Sequence, residues 1–263
     1  MQKQITKQSA PTKSHHKVTV EVVIPVYNEE NALPYSIKKL HGYMATNLIN
    51  FDWNILIADN GSSDMTLQVA SSLKKQMDNI EVFHLNKKGR GRALIKSWLQ
   101  SKADIICYMD VDLSTNLKSL VPLINAISNQ QADIAIGSRL IKGSEVVNRT
   151  LKREILSRGY ILIIKLMFFV KFSDAQCGFK AISRKAAQIL LPLIKDKGWF
   201  FDSELLIIGE KNGFKIREIP VSWVDDPDSR VNIIKTASGD LNGLFRLWFG
   251  GLRQVSRKLT SKD

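Results

Sequence analysis

Ile105-Ile106-Cys107-Tyr108-Met109-Asp110-Val111-Asp112 decides how this chain is read. Five apolar residues in a row are the length and composition of a strand buried on both faces, and two carboxylates follow at its exit. Such acids repel unless a cation joins them. A hard divalent ion with oxygen ligands, held by one or two carboxylates plus substrate phosphates, is the natural partner for Asp110 and Asp112, with Mg2+ or Mn2+ the expected ion. The alternative is a solvated loop in which Ser114 caps the helix that follows.

Outward from this strand, similar runs recur at Val18 to Val26, Asn54 to Ala58, Ile80 to Leu85 and Ile134 to Ile136, with helical patterns between them. That alternation predicts an α/β fold with a mostly parallel sheet flanked by helices. Sheets of this kind bind ligands at the carboxyl ends of their strands. Three strands run directly into polar clusters there: Tyr27-Asn28-Glu29, Asp59-Asn60-Gly61-Ser62 and Asp110-Val111-Asp112. The second half is less regular. It reads as a basic helix over about 149–170, a strand at Phe179 to Ile182, a helix at Phe201 to Lys211, a late strand over Ile216 to Trp223, and a terminal helix from Ile233 to Lys258. Residues 1–17 are expected to form a disordered basic tail, 18–232 the catalytic domain, and 233–263 an amphipathic helix and tail.

The 263 residues carry 38 Lys and Arg against 25 acids, a formal charge of +13 that favours phosphates, nucleic acid or an acidic lipid surface. A nucleic-acid binder would account for the charge but not for Asp59, Asp110 and Asp112, which repel a phosphate backbone. No nucleic-acid partner is therefore expected. Cys107 and Cys177 lie far apart in apolar settings, which speaks against a disulfide or zinc framework and fits a reducing compartment. The first 17 residues lack the apolar core of a secretory signal, and the most apolar stretch, Ile161 to Val170, is interrupted by Lys165 and too short to span a bilayer.

Lys87-Lys88-Gly89-Arg90-Gly91-Arg92 follows the third strand and opens a helix, where backbone N–H groups and basic side chains can receive an anion; a plain surface turn has the same composition. Asp202 and Glu204 sit in a first helical turn, where acids are also favoured for structural reasons alone. Cys177 reads as a small buried residue rather than a nucleophile.

Pro25 to Glu30 (PVYNEE), Ala58 to Asp64 (ADNGSSD), the Asp-x-Asp and Gly137-Ser138-Arg139 resemble, in composition and order, the inverting glycosyltransferases of family 2 with the GT-A fold. YMDVDLSTNL at 108–117, SDAQCGFK at 173–180, WFFDSE at 199–204 and DDPDSR at 225–230 are most similar to its polyprenyl-phosphate branch, the dolichyl-phosphate glucosyl- and mannosyltransferases. The resemblance implies a nucleotide-sugar donor, UDP-glucose ahead of GDP-mannose, and a polyprenyl-phosphate acceptor. It implies that Pro25, Tyr27 and Glu29 line the nucleotide pocket, that Asp59 contacts the base, and that Asp110 and Asp112 hold the metal. Lys88, Gly89 and Arg92 are candidate donor contacts, and Gln176, Lys180 and Asp174 close the sugar side. The resemblance further implies that Arg139 follows the fifth strand into the site, that Arg153 and Ser157 grip the acceptor phosphate, and that Arg230 reaches the donor pyrophosphate. Asn60, where the family often has an acid, and Ser114, where some relatives place a longer amide, are departures that bear on base recognition and on the metal's third ligand.

A lipid acceptor requires a membrane surface. Between Lys142 and Lys171 there are seven basic residues beside an apolar run, and on a helical wheel Leu241, Leu244, Phe245, Trp248, Leu252 and Val255 gather opposite Arg246, Arg253 and Arg257. Peripheral attachment at the cytoplasmic face is expected, directly or through a separate membrane-spanning partner. The alternative is that both faces pack on the sheet domain.

Overall fold

The computed structural model of the chain describes residues 17–225 and 233–260. Its centre is a seven-stranded sheet of β1 (Thr19–Val26), β2 (Asp52–Asp59), β3 (Ile80–His84), β4 (Ile105–Met109), β5 (Ile134–Ser138), β7 (Phe179–Ser183) and β8 (Ile216–Pro220), in the order β3-β2-β1-β4-β7-β5-β8. All neighbouring pairs are parallel except those of β7, which runs antiparallel to both β4 and β5. A two-stranded parallel sheet, β6 (Glu145–Val147) with β9 (Ser222–Val224), stands beside it.

The two-residue period of the strands sorts the core into two layers. Val22, Ile24, Ile105, Cys107 and Met109 face α1 (Leu33–Asn47), α2 (Thr66–Gln76) and α4 (Leu120–Ser128). Val23, Ile106, Tyr108, Ile134 and Ile136 face α3 (Arg90–Gln100), α5 (Leu151–Phe168), α6 (Arg184–Leu190) and α7 (Phe201–Lys211). Burial on both faces is why these strands read as continuous apolar runs rather than alternating ones.

The one reversed strand shapes the site. Because Phe179, the first residue of β7, pairs with Met109, the last of β4, the segment 173–178 arrives at the same sheet edge where Asp110 leaves. Arg139, directly after β5, reaches that edge as well.

Two expected elements differ. The late strand divides: β8 stays in the main sheet, and after Pro220, which has no N–H to continue a ladder, the chain crosses to pair as β9 with β6. The terminal helix is also not continuous. α8 (Ile233–Arg246) ends in a π-type turn over Leu247–Gly251 before α9 (Leu252–Thr260). Gly250 takes φ +110°, and a Cβ on Gly251 would stand 2.6 Å from the Arg246 carbonyl oxygen, so the glycine pair permits the kink.

The kink also redistributes the wheel read from sequence. Leu244, Leu247 and Val255 are buried in the core layer of α5 and α7, while Leu241, Phe245, Trp248 and Phe249 remain exposed. Arg246 leaves the expected surface stripe and forms an ion pair with buried Glu204.

Candidate active site

Three loops at the carboxyl ends of β1, β2 and β3 are lashed together. Asn28 N–H donates to Ser62 Oγ at 3.0 Å, Ser63 N–H to Asn28 Oδ1 at 2.8 Å, and Glu29 N–H to Thr66 Oγ1 at 2.8 Å. Asp59 is wholly buried, with Oδ2 2.6 Å from His84 Nδ1 and Oδ1 accepting from Ser62 N–H at 3.3 Å. The carboxylate expected to meet a nucleobase is thus closed off behind His84. Asn60, the departure from the family's acid, accepts from Gly89 N–H at 2.8 Å and so fixes the start of the basic loop. Lys88 Nζ sits 3.6 Å above the centre of the Tyr27 ring, and Arg92 Nε is buried with no acceptor among the described residues. Pro25, Tyr27, Glu29, Lys88, Gly89 and Arg92 therefore belong to one edge.

At the end of β4 lies a buried charge cluster whose centre, Arg90, was not singled out from the sequence. Its Nη2 donates to Asp110 Oδ1 at 2.8 Å and its Nη1 to Asp202 Oδ2 at 2.6 Å. The same guanidinium stacks on Tyr108 and Trp199, at 4.9 and 5.1 Å from the ring centres. Lys180, fully buried, lies 3.0 Å from Asp202 Oδ1 and donates to the Cys177 carbonyl at 2.6 Å, while Tyr108 O–H donates to Asp202. Burial opposes each of these charges. It is outweighed at Arg90 by Asp110 and Asp202, which hold the guanidinium well above its usual range, and at Asp202 by Lys180 and Arg90, which hold the carboxyl below its usual range. The sequence shows three cations in Lys88, Arg90 and Arg92; only packing decides which turns inward.

Asp110 and Asp112 differ in exposure. Asp110 is partly buried, and a Cβ at Gly178 would fall 1.7 Å from its Oδ2, so that glycine keeps the space the carboxylate occupies. Asp112 is exposed; its Oδ1 accepts from Ser114 N–H at 2.9 Å, and the chain turns at Leu113 with φ +52°. Among the described residues no group of three or more His, Cys, Asp or Glu side chains surrounds a common point. Two carboxylates on an open edge suit an oxygen-loving divalent ion that completes its shell with ligand phosphates and water.

Asp174 was expected to act on the sugar side, but its oxygens are fully committed. Oδ2 accepts from Arg139 Nε at 2.8 Å and from Arg139 N–H at 3.1 Å; Oδ1 accepts from Arg139 Nη2 at 2.9 Å and from the N–H groups of Gln176 and Cys177 at 3.1 Å. Burial alone would raise this carboxyl, yet Arg139 keeps it below its usual range. Asp174 ties loop 173–178 to Arg139, whose guanidinium also lies 4.9 Å from the Trp223 ring centre. Gln176 Nε2 donates to Asp240 Oδ2 on α8 at 2.8 Å. Cys177 is buried, and burial pushes its thiol up to about 12, so it is no nucleophile at neutral pH.

Glu204 is not brought to the site. It accepts from Arg246 Nη1 and Nη2 at 2.7 and 3.0 Å and from Asp196 N–H at 2.8 Å, which is the structural role open to an acid in a first helical turn. Arg153 and Ser157 share a face of α5 as expected but are engaged separately: Arg153 Nη1 lies 3.3 Å from Asp225 Oδ2, while the Ser157 hydroxyl accepts from Arg149 Nη2. A groove beside the Asp112 loop is lined by Tyr35, Asp112, Ser114, Asn148, Val224 and Asp225. Arg230 lies outside the described residues.

The fold is an open α/β sheet with paired acids at the β4 exit, and residues 21–190 match the family described as glycosyl transferase family 2, a class of sugar transferases. The chain belongs to that family. It is similar to the glycosyltransferase AglD of Haloferax volcanii (31% identity over 237 residues, 88% of this chain and 37% of that protein). It is also similar to the dolichyl-phosphate beta-glucosyltransferase ALG5C of Trichomonas vaginalis (30% over 230 residues, 84% and 68%). The chain thus spans well under half of AglD. Among solved structures, mannosyl-3-phosphoglycerate synthase from Rubrobacter xylanophilus superposes with a TM-score of 0.66 at 17% identity, covering 91% of this chain and 75% of that one. Glucosyl-3-phosphoglycerate synthase from Mycobacterium tuberculosis, in complex with Mn2+ and UDP-glucose, superposes at 0.63 and 17% identity, covering 87% and 78%. These likenesses show the fold.

Proposed function

We propose that the chain is an inverting glycosyltransferase that moves glucose from UDP-glucose onto a polyprenyl phosphate of the dolichyl type at a membrane surface. The observation that carries this reading is the placement of the strand-end carboxylate Asp112 on a groove that Asp225 also lines, Asp225 lying 3.3 Å from Arg153 Nη1. The names of the glucosyltransferase relatives support the acceptor, and the UDP-glucose complex of a structural neighbour supports the donor.

A phosphate monoester has its second ionisation near ~6, so the nucleophile is already charged at neutral pH and needs no strong base. What the protein must do is place two anions against each other. Tyr27, Glu29, Lys88, Gly89 and Arg92 receive the nucleotide at the β1–β3 edge, and Asp59 acts on the base through His84. Arg139 and Arg153 orient the acceptor phosphate. Asp110 and Asp112 would hold Mg2+ or Mn2+, an ion that supplies charge stabilisation for the departing diphosphate.

No helix among the described residues is long and apolar enough to cross a membrane. Two segments nevertheless expose large apolar side chains together: Leu166 and Phe169 at the end of α5, and Phe245, Trp248 and Phe249 at the α8 kink, with Phe169 78% and Phe249 80% exposed. The Phe168 and Trp248 rings pack at 5.8 Å and join the two segments into one face. Such a face with exposed Arg253 and Arg257 on the helix that follows the kink fits the headgroup layer. The free, buried cysteines fit the cytoplasmic side.

The deciding experiment supplies purified protein with labelled UDP-glucose or GDP-mannose, Mn2+ and polyprenyl phosphate, then extracts the lipid phase. Label from UDP-glucose should partition with the lipid. Label only from GDP-mannose replaces the donor; none from either rejects the acceptor.

A further inference from the structure

Arg149 stands immediately before α5, after a turn in which Asn148 takes φ +61°. Its side chain is 7% exposed, yet it is poorly served. Nη2 donates to Ser157 Oγ and approaches the Arg153 carbonyl at 3.4 Å. Nε lies 3.0 Å from Glu154 Oε2 without an aligned hydrogen bond, and Nη1 has no acceptor among the described residues. Glu154 is shared, since its Oε1 accepts from Arg158 Nε at 2.5 Å. Arg139 adds a second positive charge close enough to work, with burial, against the ionisation of Arg149.

Arg92 likewise keeps a buried Nε without an acceptor among the described residues, whereas the arginines paired with carboxylates look different. Arg246 is bidentate with Glu204, Arg139 is bidentate with Asp174, and Arg90 bridges two acids. A buried guanidinium with an open donor beside another guanidinium is electrostatically suited to an anion. Its neighbours in sequence and space, Asn148 and Asp225, line the groove that Asp112 also lines.

We infer that Arg149 binds the phosphate of the acceptor in that groove, its Nη1 donating to a phosphate oxygen while Ser157 steadies Nη2. This rests on the phosphate-acceptor reading above and adds a residue that it does not assign. Ser157 then acts by positioning Arg149 rather than as a ligand of its own.

The test compares wild type, Arg149→Met and Arg149→Lys in the full chain. Citronellyl phosphate, a soluble isoprenyl phosphate, and UDP are titrated separately by calorimetry in the presence of Mn2+, alongside thermal melting. Replacing Arg149 by Met should weaken citronellyl phosphate at least tenfold, leave UDP within twofold, and leave the melting temperature unchanged or higher, because a repelled buried charge is removed. Lys keeps the charge without the planar fork and should fall between. Unaltered citronellyl phosphate binding in the Met variant overturns the inference, as does absence of such binding in wild type. If Met prevents folding, Lys decides: equal losses of UDP and citronellyl phosphate binding make Arg149 structural and overturn it, whereas a selective loss of citronellyl phosphate supports it. Wild type that binds citronellyl phosphate through Arg149 but transfers no sugar to it removes the transfer reading and leaves the phosphate site standing.

Discussion

The two sides of the cleft handle charge in opposite ways. At the end of β4 the charges are neutralised within the protein: Arg90 serves Asp110 and Asp202, Lys180 serves Asp202, and Tyr108 completes the set, with Trp199 stacked on Arg90. Near the groove Arg139 is bidentate with Asp174, but Arg149 beside it is buried with an open donor. The first arrangement fixes geometry before any ligand arrives. The second stores electrostatic tension that a bound anion relieves. Rigid placement on one side and unsatisfied charge on the other is what a site needs when it must bring two anions together.

The largest expected break in this comparison is at the metal edge. Asp112→Asn keeps the oxygen that accepts from Ser114 N–H but removes a charge, so glycosyl transfer should fall roughly a thousandfold, the several kcal/mol that a bound divalent ion contributes, with the melting temperature unchanged. Chelation with EDTA should do the same to wild type. Full activity in chelated enzyme would remove the metal from the reaction.

Next in size is Arg90→Ala, which should act on the fold rather than on one ligand. It leaves Asp110 and Asp202 without a shared partner in a buried setting, a loss of about 3–5 kcal/mol that should lower the melting temperature by about 10 °C. A melting curve that does not move would show that the cluster is not preorganised.

The exposed aromatic face should give a smaller, binding-only effect. Phe245 and Trp248 are exposed, so replacing both with Ser should release the protein from anionic liposomes in a flotation assay while UDP binding stays within twofold. Salt should weaken the wild-type association by screening its basic residues, each worth about 1 kcal/mol near an anionic surface. Coincident loss of UDP binding would mean that the aromatic face belongs to the core.

The finest test is of pH. Burial, with Asp196 and Asp202 nearby, raises the Asp240 carboxyl to about 7. A folded-state value above the unfolded one means that this group's contribution is present in acid and is lost as pH rises through about 7. Asp240→Asn keeps an acceptor for Gln176 and should therefore raise the melting temperature by about 3 °C at pH 8 but by only about a third of that at pH 5, since the loss accrues between the unfolded value of 3.8 and the folded value of about 7. An equal gain at both pH values would show that Asp240 is ionised throughout.

The parallel sheet and its working edge were legible in the sequence because apolar strands buried on both faces form unbroken runs, and the acids that interrupt them mark the strand ends. Asp110 and Asp112 were found that way, as were the loops at Tyr27 and Asp59. The resemblance of SDAQCGFK and FDSE placed Lys180 and Asp202 near the site, although not as partners of one another. What sequence could not supply was direction and pairing. The reversal of β7, which carries loop 173–178 to Asp110, leaves no local signal, because an antiparallel strand buried on both faces has the same composition as a parallel one.

The same limit explains the arginines. A chain with 38 basic residues presents many equivalent candidates, and helical spacing grouped Arg153 with Ser157 without showing that Ser157 turns to Arg149. The terminal helix read as one amphipathic stripe because a wheel assumes a straight axis, whereas the kink at Gly250 and Gly251 sends Leu244, Leu247 and Val255 inward and leaves Phe245 and Trp248 outside. By itself the sequence determined the layered α/β fold and the acidic edge, since hydrophobic period and strand-end chemistry are local properties. Tertiary structure alone decided which cation meets which carboxylate, because a buried charge takes its partner from whatever the packing brings within about 3 Å, however distant in the chain.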